Sequence, residues 1–99
     1  MFILVGYFEL TLPYSTSLKE KRKIIQSIIA RTRNRFNISI SEIDFHDKWQ
    51  RSKIGFSAIS RKENELEFIV QSINNSLDYY GELIVAHFEY DICCKYLSE

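Results

Sequence analysis

Two cysteines, one proline, three glycines, two histidines and one tryptophan are all that the 99 residues hold of these types. Each scarcity excludes something. Cys93 and Cys94 are adjacent, and neighbouring side chains on an extended chain point apart, so an intrachain disulfide framework is not expected and a reduced, cytoplasmic setting is. His46 has Asp44 and Asp47 beside it but no second cluster of ligands, and His87 stands alone, so neither a metal nor any other cofactor is expected. Gly6, Gly55 and Gly81 are scattered, and Thr11-Leu12-Pro13-Tyr14 after the first apolar stretch cannot form a glycine-rich phosphate loop. No helix start is evident beside the cysteines to activate a thiol. An enzyme is therefore not expected. No apolar run approaches the ~18 residues of a membrane span, and Phe2-Ile3-Leu4-Val5 lacks the basic flank and cleavage site of a signal peptide.

What the chain does have is charge, arranged unevenly behind a net charge of zero. Between Lys19 and Arg35, Lys19, Lys21, Arg22, Lys23, Arg31, Arg33 and Arg35 face the single acid Glu20, whereas from Lys62 onward acids outnumber bases. Such asymmetry permits a local anionic partner despite the neutral total.

Hydrophobic periodicity orders the chain into six elements. Phe2 to Leu12 reads as a strand, apolar on both phases at first and then alternating Phe8, Leu10 and Leu12 against Tyr7, Glu9 and Thr11. Pro13 ends it. Ser17 and Glu20 have capping-box spacing and open a helix to about Phe36, with a core stripe of Leu18, Ile25, Ile28, Ile29, Thr32 and Phe36 and Asn37 as its left-handed exit. Strands follow at 37–45 and 52–60. Ser60 and Glu63 repeat the capping spacing before a second helix with Leu66, Ile69, Val70, Ile73, Leu77 and Tyr80 inward, closed by Gly81. The last strand spans Glu82 to Ile92, with Ile84, Ala86, Phe88 and Tyr90 alternating against Leu83, Val85, His87 and Glu89. The order βαββαβ predicts an α+β, ferredoxin-like sandwich, a single domain over residues 1–99, in which right-handed crossovers place two helices on one face of a four-stranded antiparallel sheet.

Three segments carry a resemblance to a known family. Ser17-Leu18-Lys19-Glu20-Lys21-Arg22, the helix exit Arg33-Asn34-Arg35-Phe36-Asn37, and Asp47-Lys48-Trp49-Gln50-Arg51 resemble the motifs of the YlxP-like family of small bacterial proteins of unknown function. The resemblance covers nearly the whole chain and implies a ferredoxin-like domain of bacterial origin. It implies no established activity, although family members are often encoded beside translation and ribosome-assembly factors. Cys93-Cys94-Lys95-Tyr96 is not a feature of that family.

Two surfaces are the candidate sites. Lys19, Lys21, Arg22 and Lys23, with Arg33, Trp49 and Arg51 as secondary contacts, would meet the phosphates and bases of a structured RNA or a ribosomal particle. The competing expectation is that these charges are solvated or paired with Glu63, Glu65 and Glu67 on the second helix. The open face of the sheet, carrying Ile3, Val5, Ile59, Leu83 and Val85, would instead serve a homodimer or another protein contact. The leading expectation is non-enzymatic RNA or ribonucleoprotein binding linked to translation, and the alternative is a protein-interaction or homodimerisation module. Neither involves a membrane.

Overall fold

A computed structural model describes residues 1–98. The elements are β1 (Phe2–Thr11), α1 (Leu18–Arg35), β2 (Ser39–Asp44), β3 (Arg51–Ser60), α2 (Glu63–Leu77) and β4 (Ile84–Cys94). The strands form one antiparallel sheet in the order β2-β3-β1-β4, with both helices on one face: the expected ferredoxin-like arrangement. β1 and β3 are central, which is why both supply fully buried side chains, Leu4, Phe8 and Leu10 from one and Ser52 and Ile54 from the other.

The core lies between sheet and helices. Phe8 sits opposite Ile54 on β3 and Phe88 on β4, and the rings of Phe8, Phe56 and Phe88 cluster with centroids 5.7 to 6.0 Å apart. Gly6 makes this packing possible. A Cβ there would stand 2.6 Å from the Phe56 ring and 2.8 Å from the Glu89 carbonyl oxygen, so only glycine fits beneath Phe56. The two helical segments are joined by the hydroxyl of Ser27 in α1 and that of Tyr80 just after α2, 3.1 Å apart, and by Phe36, the C-cap of α1, edge-on to Phe68 of α2.

Several boundaries differ from the sequence expectation. Ser17 caps α1 as read, accepting from the Glu20 N–H at 3.1 Å, but the Glu20 carboxylate reaches past it to the N–H and hydroxyl of Thr16. Those bonds hold the Glu20 carboxyl below its usual range. For α2 the cap is Lys62 with no side-chain bond; Ser60 accepts from the Lys62 N–H and donates to Glu65 instead. Neither Asn37 nor Gly81 is left-handed. That conformation falls to Phe45, at φ 64°, in the β2–β3 loop.

The β4 expectation fails at its start. A register shift opposite Glu9 and Leu10 makes Ala86 an extra residue, pairing His87 with Glu9 but Val85 with Leu10. One inserted residue inverts the phase. Leu83 and Val85, expected on the open face, therefore pack against the core, while Ile84 is exposed.

Candidate functional site

The basic end is built on a charge that sequence reading placed at the surface. Lys21 occupies the one slot of the α1 stripe between Leu18 and Ile25 and is fully buried. Its ammonium is 3.0 Å from Glu42, whose side chain enters from the core phase of β2, and it donates to the carbonyls of Phe45 and His46. Glu42 also accepts from Ser52 and lies 2.7 Å from His46 Nδ1. Burial opposes the Glu42 charge, but the bonds from Ser52, Lys21 and His46 together with the Lys21 charge outweigh it and hold the carboxyl below its usual range. Lys21 is therefore corrected out of the phosphate-facing set: its donors are committed to a clasp between α1, β2 and the β2–β3 loop.

A second tie comes from the same loop. The Gln50 side chain donates to the carbonyls of Pro13 and Ser15, and Leu12 N–H donates to Gln50 O at 2.9 Å. Lys21 and Gln50, each from a segment that carries the family resemblance, thus tie α1 and the turn before it to the β2–β3 loop. The fastening leaves Trp49 half exposed, at 52%, on a loop held at both ends. Arg51 stacks on Phe45, its guanidinium 3.9 Å from the ring centroid, which braces the left-handed residue.

The remaining basic residues divide. Lys19, Arg22 and Lys23 are exposed, and among the described residues no ion pair involves them, so the expected pairing with Glu63, Glu65 and Glu67 is not formed. Glu65 and Glu67 are hydrogen-bonded by Ser60 and Tyr90 instead. Arg33 is exposed but donates to the Ile40 carbonyl at 2.9 Å on the edge of β2.

The open face has a polar half and an apolar half. Tyr7 donates to Glu89 at 2.9 Å, Lys53 stands 4.4 Å from the centre of the Tyr7 ring, and His87 lies beside both Tyr7 and Glu89. The bond from Tyr7 is the main cause holding the Glu89 carboxyl low, and the same bond raises the Tyr7 phenol. Toward the other end, Ile3 and Val5 of β1 face the same way as Ile59 of β3, opposite Ile3 in register. Val5 is 54% and Ile59 68% exposed. Ile43, also exposed, folds over Gly55, and the small residues Gly55 and Ser57 leave a depression of about 620 Å³ between Ile43, Val5 and Glu89.

Alternation places Tyr7, Lys53 and Glu89 in the open-face phase, though not their mutual contacts, and sequence reading missed Ile43 and the Lys21 to Glu42 pair. Of these two only the pair had a signal: opposite charges at core-phase positions of two elements that the fold packs together. Among the described residues no group of three metal-ligating side chains is clustered, and no helix is long and apolar enough to cross a membrane.

Comparison with known proteins places the chain among uncharacterised ones. Residues 3–90 match the family described as protein of unknown function (DUF503). Over 67 residues the sequence is 40% identical to the uncharacterized protein YlxP of Bacillus subtilis (strain 168), covering 68% of this chain and 73% of that protein. Among solved structures, a dimeric ferredoxin-like protein from an uncultured marine organism aligns over 100% of both chains at 7% identity, with a TM-score of 0.46.

Proposed function

The chain belongs to the DUF503 family of proteins of unknown function, and from that premise we propose that it is a non-enzymatic interaction module that docks a protein partner, a second copy included, on the open face of its sheet. The observation that carries this reading is the exposure of Val5 and Ile59 beside Ile3 on a face that no helix covers. Aliphatic side chains grouped on a solvent face gain roughly 25 cal/mol for each Å² removed from water. Four strands about 4.8 Å apart and six to eleven residues long present roughly 600 Å² in projection, near the lower bound for a specific contact. The polar half, with its internally satisfied Tyr7, Lys53 and Glu89, would form the rim. Val5→Lys with Ile59→Lys should abolish docking without altering the circular dichroism spectrum; undiminished docking by this double variant would refute the reading.

One observation favours a second reading. Lys19, Arg22 and Lys23 are exposed on α1 and, among the described residues, form no ion pair, at the same end as the half-exposed Trp49, a combination suited to phosphate and a stacked base. This surface would contact RNA or a ribonucleoprotein particle. Co-sedimentation with bacterial ribosomal particles that is lost as salt rises, and lost on replacing Lys19, Arg22 and Lys23 together by Glu, would establish it. Absence of co-sedimentation at low salt would remove it.

A further inference from the structure

The sheet has two outer strands, and the chain treats them differently. β2 is six residues long, shifts register between Glu42 and Asp44, and has its Ile40 carbonyl taken by Arg33. Shortness, irregularity and a covering cation are devices that keep an edge from pairing. β4 has eleven residues, IVAHFEYDICC, with neither lysine nor proline. Its irregularity is confined to the Ala86 region, and His87 to Cys94 stay in unbroken register with β1. Among the described residues no hydrogen bond beyond the β1 ladder reaches the backbone of Ile84–Cys94. Alternate residues of β4 therefore present N–H and C=O groups outward with nothing to bond.

From this we infer that β4 pairs with β4 of a second copy, antiparallel across a two-fold axis through Phe88, to make one eight-stranded sheet. The side-chain charges favour one of the four registers centred between Phe88 and Asp91. Centring the axis on Glu89 would set two carboxylates face to face, centring on Tyr90 would set Glu89 against Asp91 twice, and centring on Asp91 would oppose two aspartates. Centring on Phe88 sets His87 of each copy against Glu89 of the other and stacks Phe88 on its symmetry mate, favourable cross-strand pairs in both layers of a short ladder that ends where Tyr90 meets the extra residue Ala86. His87 and Glu89 are exposed on the open face and already compatible, at 3.4 Å within one chain. The axis is perpendicular to the sheet, so both open faces stay on one side and remain free. The inference goes beyond the docking reading and does not depend on it.

The test is sedimentation velocity of the wild-type chain over a wide concentration range, with amide hydrogen exchange at each concentration. A dimer should appear as concentration rises, and alternate amides between His87 and Asp91 should slow at least tenfold with it. His87→Glu and Glu89→Lys should each weaken self-association about tenfold, because the symmetry counts every lost pair twice. An equimolar mixture of the two variants should associate again, since Glu at 87 of one chain then meets Lys at 89 of the other. A monomer at every concentration would overturn the inference. So would a dimer whose β4 amides exchange at the monomer rate and which Val5→Lys dissociates, because that dimer uses the open face.

Discussion

Replacing Lys21 by Met should destabilise the domain by about 3 kcal/mol, near the lower end of the range for breaking a buried ion pair from one side. The substitution keeps an unbranched stem of similar volume, so little packing is lost and the deficit is electrostatic. Glu42 would retain Ser52 and His46 but face the vacated ammonium site, and the His46 carbonyl would lose its Lys21 donor. The Phe45 carbonyl keeps one donor, the Lys48 N–H at 3.0 Å, which limits the loss. For a domain of this size the deficit lowers Tm by roughly 12–24 °C. Urea unfolding followed by Trp49 fluorescence and circular dichroism would measure it. Adding Glu42→Gln should recover about half the loss, because the uncompensated charge is removed while Ser52 keeps an acceptor. A Lys21→Met variant within 1 kcal/mol of wild type, or a double variant as unstable as the sum of the singles, would refute the clasp.

The same network sets a pH dependence. The Glu42 carboxyl titrates lower folded than unfolded, so its contribution is present above the unfolded value of about 4.3 and is lost as pH falls through the folded one; in Lys21→Met this acid-side loss should shrink, as equilibrium unfolding between pH 3 and 6 would show. Gly6→Ala should lose about 1–3 kcal/mol by overpacking against Phe56 and the β4 backbone, read as a lowered urea midpoint. Gly81→Ala meets nothing within 4 Å and needs no positive φ, so its midpoint should be unchanged or slightly raised. Gln50→Ala should leave global stability within about 1 kcal/mol but, by removing the side-chain bonds to the Pro13 and Ser15 carbonyls, loosen the turn and speed amide exchange at the adjoining Leu12.

Local pattern carried most of the architecture. Apolar alternation and helical stripes located all six elements, because β1, β3 and α2 have one face committed to a single core. What pattern could not reveal were events at one residue. The extra residue at Ala86 inverted Leu83, Ile84 and Val85, and a strand rich in apolar side chains on both phases gives no warning of such an inversion. Composition groups Lys21 with its basic neighbours, although its spacing from Leu18 and Ile25 places it in the core stripe. Its partner Glu42 follows Ile40 by two residues and so shares the inward phase. Ser60 stands at capping distance from Glu63, yet the chain makes one further bend before α2.

The two surfaces ask different things of a partner. The clasp and the Gln50 tie hold the basic end rigidly, whereas the open face is fixed by the sheet itself. Charge reversal on α1 and charge insertion on the sheet are therefore separable perturbations, since neither touches the residues that hold the fold.

The most direct measurement is capture from a bacterial lysate on three immobilised chains: wild type, the Val5→Lys and Ile59→Lys double variant, and the triple Glu variant at Lys19, Arg22 and Lys23. The account predicts that wild type and the triple variant retain the same protein at low and high salt, and that the open-face variant loses it. Retention by the open-face variant, with loss in the triple variant and on nuclease treatment, would contradict it.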